Sequence, residues 1–317
     1  MMKRTTCLIS AGGALALGAL ARPARAAESD ISLSTPTGTI YGTLSLPTKM
    51  PAPAVLIIAG SGPTDRDGNN GPIRAGSYKQ LAADLAVRGI ASIRYDKRGI
   101  AASAAAGGSE RDLRFDNYVD DAAAWLRLMR ADRRFTKIEV AGHSEGSLIG
   151  MLAVRAAPAD AYVSLEGAGR PAPAVLREQL KKALTPDLYA QADSIIGQLQ
   201  LGHTVAHTPP ELAALFRDSV QPYLISWFKY DPAIEIAKVR IPMTIVQGTA
   251  DIQVTMADAD DLKRAAPNAK LVVVEGMNHV LKYAPDTSSQ TAILHGYEDV
   301  SLPLDPHAVD AVASPLT

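Results

Sequence analysis

Three residues, each placed just after an apolar run, could do joint chemistry: Ser144, Asp251 and His279. A serine hydroxyl is a weak nucleophile until a base takes its proton, and the base needs a carboxylate to fix its tautomer. Ser144 sits in Gly142-His143-Ser144-Glu145-Gly146, between the β-branched run Lys137–Val140 and a helical pattern over Ser147–Ala157. Strand, G-x-S-x-G, then helix is the context of a nucleophile elbow. The glycines let strand and helix pass closely, and the serine projects from the turn. Asp251, in Gln247-Gly248-Thr249-Ala250-Asp251, and His279, in Glu275-Gly276-Met277-Asn278-His279, leave the ends of two later strand patterns. The order serine, acid, histidine matches that elbow.

The other titratable groups fit less well. His143 adjoins Ser144, so its ring is not expected to reach back over the hydroxyl. His203 and His207 lie in the insertion over residues 171–236, His295 and His307 in the C-terminal tail. Asp258, Asp260 and Asp261 read as the solvated face and N-terminal charge of a helix. An oxyanion would need backbone donors. The amide of Glu145 is one candidate, and the amide of Ser61, on the first strand-exit loop Gly60–Asn69, is the other. No histidine-rich ligand spacing suggests a metal or cofactor.

These residues require a sheet whose strands end on one edge. Ala54–Ala59 is a continuous apolar run, as a strand buried on both faces should be. It alternates with a helix at Tyr78–Val87, a strand at Ile90–Tyr95, a helix at Asp116–Met129, the elbow strand and a strand at Ala161–Glu166. Two short strands, Ile31–Leu33 and Thr39–Leu46, precede them. The alternation predicts an α/β fold, a mostly parallel central sheet covered by helices on both faces. After Pro171 the rhythm breaks into Val175–Leu184, Asp187–Leu201 and Glu211–Lys229, the last interrupted by Pro222. Residues 171–236 are expected to form a helical cap over the strand ends, between core segments 28–170 and 237–317. The rhythm resumes at strand Met243–Gly248, helix Met256–Ala266 and strand Lys270–Glu275, with a last helix at Asp305–Val312. The cap ends in an aromatic cluster, of which Trp227 is the candidate to line an acyl pocket.

The first 26 residues differ from the rest. A basic start, Met1-Met2-Lys3-Arg4, leads into an Ala/Gly/Leu-rich run and an A-x-A site ending at Ala26. This predicts a secretory signal peptide, with periplasmic or secreted location and no stable membrane association after cleavage. The one cysteine, Cys7, lies inside it, so the mature chain would hold no thiol. Cleavage also removes four of the 32 Lys and Arg, leaving 28 against 33 acidic residues. That surplus argues against nucleic acid as a partner.

Taken with Gly248-x-x-Asp251 and Asn278-His279, the elbow resembles that of the α/β-hydrolase superfamily. The loop Gly60-Ser61-Gly62-Pro63-Thr64-Asp65-Arg66-Asp67-Gly68 and the stretch Tyr95-Asp96-Lys97-Arg98-Gly99 resemble a bacterial esterase group, including an acetyl-esterase-like branch, close to the serine aminopeptidase-type hydrolases. The resemblance covers Ile31–Val312. It implies an α/β-hydrolase fold with a helical cap, and a small-molecule ester as substrate. One departure stands out: the usual His-Gly of the oxyanion loop is Ala59-Gly60 here. Asp65-Arg66-Asp67 is expected to brace its loop by salt bridges, the rival reading being that Arg66 holds a polar or anionic substrate group. Two rival functions are a peptidase or amidase on the same triad, and a non-catalytic binding protein of the same fold.

Overall fold

The computed structural model describes residues 27–71, 73–284 and 286–317. The signal-peptide expectation, on residues 1–26, lies outside them. The chain opens with a hairpin, β1 (Ala27–Thr35) and β2 (Gly38–Leu46), then enters β3 (Ala52–Ile58). A two-residue ladder, β4 (Asn69–Asn70) and β5 (Ile73–Arg74), closes the loop after β3. Next come α1 (Ser77–Val87), β6 (Ala91–Tyr95), α2 (Phe115–Ala131), β7 (Phe135–His143), α3 (Glu145–Ala156) and β8 (Ala161–Leu165). Five helices follow without a strand: α4 (Ala172–Ala183), α5 (Pro186–Gln200), α6 (Ala213–Phe216), α7 (Gln221–Phe228) and α8 (Pro232–Ile236). The chain returns to the sheet through β9 (Met243–Gly248), α9 (Met256–Ala265) and β10 (Lys270–Val274), and ends in α10 (Gln290–Glu298) and α11 (Pro306–Ala313).

The large sheet has eight strands in the order β1-β2-β6-β3-β7-β8-β9-β10. The pairs β1/β2 and β2/β6 are antiparallel, and every later pair is parallel. β3 shows why the sheet is covered on both faces. Ala54, Leu56 and Ile58 enter one apolar cluster, while Val55, Ile57 and Ala59 enter another on the opposite side. That is the two-residue period of a strand with no solvent face. Its large side chains are essentially inaccessible, each contributing about 1.5–3 kcal/mol of burial.

Two sequence expectations need revision. Pro222 does not interrupt a helix: it stands in the first turn of α7, where the missing N–H costs nothing. Asp258 is not solvated: its carboxylate is buried, receives the Arg170 guanidinium at 2.8 Å through both Nε and Nη2, and caps α9 through the Thr255 amide. No helix of the described residues is long and apolar enough to cross a membrane.

Candidate active site

The elbow is built by contact distances that exclude any side chain but hydrogen. A Cβ on Gly142 would lie 2.2 Å from the Gly146 carbonyl oxygen, and one on Gly146 would lie 2.4 Å from that of Ile58. β3, β7 and α3 therefore pass closer than alanine permits. Between them Ser144 adopts φ 54° and ψ −119°, a strained conformation for a residue with a side chain. Its amide donates to the Leu165 carbonyl at 2.9 Å, tying the turn to β8.

Asp251 follows β9 and His279 follows β10, neighbouring parallel strands in the sheet. His279 Nδ1 lies 2.6 Å from Asp251 Oδ2, while Asp251 Oδ1 accepts the amides of Gln253 and Val254 at 2.7 and 3.0 Å. A neutral ring that donates from Nδ1 to a carboxylate keeps Nε2 as its acceptor. His279 and Ser144 line one cavity of about 110 Å³. The histidine loop is an Asx turn: Asn278 Oδ1 accepts the amides of Val280 and Lys282, both at 3.1 Å.

Glu166 adds a second carboxyl that sequence reasoning missed. It follows β8 directly in a left-handed conformation, φ 49°, and its carboxyl lies within 4.8 Å of both the Asp251 carboxylate and the His279 ring nitrogen. Its oxygens accept the Gly248 amide at 2.8 Å and the Gln247 side-chain amide at 2.5 Å. Burial, reinforced by the Asp251 charge, holds the Glu166 carboxyl well above the ordinary range, so it keeps its proton. Burial alone would raise Asp251 too, but the neighbouring imidazole and the Glu166 hydrogen bond outweigh it and hold Asp251 below the usual range. The cluster is thus a proton-sharing carboxyl pair beside a histidine. Both Glu166 oxygens already accept N–H donors, which is a poor donor set for a cation.

His143 does not reach over the serine; it anchors three loops instead. Its Nε2 lies 2.7 Å from the His279 carbonyl, which can only accept, so Nε2 carries the proton. Nδ1 then accepts from the Tyr78 hydroxyl at 2.7 Å, whose oxygen in turn accepts the Gly60 amide at 3.1 Å. Burial pushes the His143 ring down to about 3, so it stays neutral. Adjacency to Ser144 gave no sign of this, because both partners are remote in sequence.

The two candidate oxyanion amides, Ser61 and Glu145, flank Ser144 and donate no hydrogen bond within the described residues. Behind them lies Lys97, 1% exposed, whose ammonium donates to the Gly60 carbonyl at 2.6 Å and to Glu145 Oε2 at 2.9 Å. The Tyr223 hydroxyl of α7 donates to Glu145 Oε1. Lys97 therefore holds directly the peptide that carries the Ser61 amide, since the Gly60 carbonyl and the Ser61 amide belong to one peptide unit, and holds the side chain of Glu145, whose amide is the other candidate. From sequence Lys97 reads as part of the Tyr95–Gly99 stretch that carries the family resemblance, with no role of its own.

A second cavity, of about 100 Å³, opens from Ser144 on the side of Ser61 and Glu145. Leu148, Val175, Leu176, Val254 and Trp227 line it, and Trp227 stacks on Phe115 with ring centroids 6.1 Å apart. Arg170 also borders it, but its guanidinium is committed to Asp258 and Glu178. Arg66 borders neither cavity; it grips Asp96 at 3.0 and 2.8 Å, and Asp67 pairs with Arg94, so the run braces its loop.

Comparison with known proteins gives three kinds of likeness. Residues 73–221 match the family described as serine aminopeptidase, S33. Esterase EstD of Thermotoga maritima is 27% identical over 235 residues, covering 73% of this chain and 55% of its own length; the chain thus spans about half the length of this curated relative. Among solved structures, Est1E from Butyrivibrio proteoclasticus superposes with a TM-score of 0.55 at 18% identity, over 85% of this chain and 96% of that one. XC6422 from Xanthomonas campestris, described as an α/β serine hydrolase without lid, gives 0.51 at 18% identity, over 87% and 94%. At such identities the structural likeness is one of fold.

Proposed function

We propose that this chain, whose fold is that of the α/β hydrolases, is a serine esterase cleaving short-acyl carboxylic esters through an acyl-enzyme, exported to the periplasm or beyond. Ser144 Oγ attacks the ester carbonyl as His279 Nε2 takes its proton. Asp251 keeps that ring in the right tautomer and stabilises it once charged. The amides of Ser61 and Glu145 receive the oxyanion. Collapse of the intermediate breaks the bond to the alcohol oxygen, which leaves with the proton from His279. Water then enters by the same route, giving its proton to His279 and releasing the acid and free Ser144.

The observation that carries this reading is the Asp251–His279 pair set beside a strained serine with two free amides. The acyl half fits the cavity lined by Trp227. At about 100 Å³ it is smaller than the ~150 Å³ engineered cavity that holds benzene, which favours a short chain. The helices over residues 171–236 act as the cap that supplies this wall.

An ester is favoured over an aminoacyl peptide by charge. An aminopeptidase must hold the substrate's ammonium, and the carboxylate nearest Ser144 in this cavity, Glu145, is already bound by Lys97 and Tyr223. Parallel assays with p-nitrophenyl acetate and alanine p-nitroanilide test the choice. The expected result is hydrolysis of the ester at least 100-fold faster, with both rates abolished in Ser144→Ala. Preferential cleavage of the anilide would make the protein a peptidase instead.

A further inference from the structure

Two cavities meet at Ser144, and proton transfer decides which half of the ester each one takes. The departing oxygen must receive its proton from His279 Nε2, so the alcohol lies on the His279 side. His279 lines the cavity of about 110 Å³, with Thr64, Asn70, Ser77, Tyr78 and Tyr297, and does not line the cavity of Trp227 and Leu176. The acyl group therefore enters the apolar cavity and the alcohol the one beside His279.

We infer that this alcohol cavity is built for a neutral, hydroxyl-rich leaving group, a sugar or polyol rather than an alkyl alcohol. The inference rests on the esterase reading above. Tyr297, on α10, is 2% exposed, and its hydroxyl makes no hydrogen bond of ordinary geometry among the described residues, although the Gln253 side chain and the His279 backbone stand close to it. A buried hydroxyl without a partner is rare in a folded protein and calls for one from outside. Asn70 gives its side-chain amide to Thr64 at 3.1 Å and keeps its carbonyl free, and the exposed Gln253 stands between the two cavities. Three further hydroxyls have partners: Tyr78 between His143 and Gly60, Ser77 on the Val280 carbonyl, Thr64 on that of Ser61. The cavity thus offers a tyrosine donor, an amide acceptor and a second amide at its mouth. No lysine, arginine, aspartate or glutamate lines it among the described residues, so a phosphorylated or carboxylated alcohol has no counter-charge there. An alkyl alcohol would leave Tyr297 dry, whereas vicinal hydroxyls would satisfy it.

The test compares kcat/KM for matched acetates: mono-acetylated methyl xyloside against cyclohexyl acetate, and glyceryl monoacetate against n-propyl acetate. The sugar or glycerol ester should exceed its alkyl partner by about 10-fold or more, and whichever pair shows the larger ratio distinguishes sugar from glycerol. Tyr297→Phe should erase that ratio, about 10-fold, by lowering kcat/KM for the hydroxylated esters and not for their alkyl partners. Equal turnover of alkyl and hydroxylated esters by the wild type overturns the inference. So does a Tyr297→Phe variant that loses all substrates in proportion, because the hydroxyl would then serve packing alone. As a second readout, free methyl xyloside or glycerol should inhibit competitively in the wild type and about 10-fold less well in Tyr297→Phe; equal inhibition of both counts against it. A wild-type protein inert toward p-nitrophenyl acetate overturns the esterase reading itself, and this inference with it.

Discussion

Replacing Lys97 by methionine should separate stability from catalysis. The substitution keeps the length of the side chain but removes the ammonium that holds the Gly60 carbonyl at 2.6 Å and the Glu145 carboxylate at 2.9 Å. Glu145 would be left buried, with only the Tyr223 hydroxyl to satisfy it. Breaking a buried ion pair from one side costs about 3–5 kcal/mol. In a chain of this size that corresponds to roughly 6–15 °C in Tm. The Gly60–Ser61 peptide would lose its anchor as well. Deleting an oxyanion donor outright costs about 10²–10³ in kcat, so an amide left in place but loosely held should cost ~10–100-fold, with KM little changed. The double variant Lys97→Met/Glu145→Gln removes the stranded charge, so its Tm should recover most of the loss while kcat stays low. Differential scanning fluorimetry and steady-state hydrolysis of p-nitrophenyl acetate, well below the melting point, read the two effects apart. Wild-type kcat in Lys97→Met, or recovery of kcat together with Tm in the double variant, would refute a positioning role for this ammonium.

Other perturbations follow from buried groups and from the cap. His143, held neutral at about 3, binds its proton more weakly folded than unfolded, so stability should fall as pH drops from about 6.5 toward 3, by up to ~1.4 kcal/mol per unit. Glu166, held well above the ordinary range, runs the other way, its contribution being lost as pH climbs through its folded value. Thermal melts across pH should show the acid limb flattened in His143→Gln and the alkaline limb flattened in Glu166→Gln. Trp227→Ala should open the acyl cavity and shift preference toward longer chains, each methylene worth at most ~1–3 kcal/mol, as read from a p-nitrophenyl ester series. A lowered Tm with an unchanged chain-length profile would reduce Trp227 to its stack on Phe115. N-terminal sequencing of protein from the periplasmic fraction should begin at Ala27 or Glu28, and an intact Met1 on active cellular protein would contradict export.

How much of this was legible beforehand depends on the range of the interactions. The strand–turn–helix around Ser144 is local, so its glycines and flanking periodicity announced it. Asp251 and His279 were readable because each follows an apolar run that had to be a strand, and strands of one sheet release their loops on one edge. The hairpin β1/β2 came out longer than predicted because Glu28 and Asp30 lie on an exposed strand whose polarity masks it. Lys97, Glu166 and His143 were opaque for a different reason. Their partners are 48, 82 and 136 residues away, and no local pattern marks a charge as buried. Sequence composition treats Lys97 as surface; only the packed fold reveals that it sits between the Gly60 carbonyl and the Glu145 carboxylate.

The most direct measurement is mass spectrometry of the protein after reaction with a fluorophosphonate. The account predicts one covalent phosphonyl adduct, on the peptide containing Ser144, lost in Ser144→Ala together with ester hydrolysis except for a residual ~10³–10⁴-fold rate over water. An adduct on another residue, or near-wild-type turnover in Ser144→Ala, would contradict it.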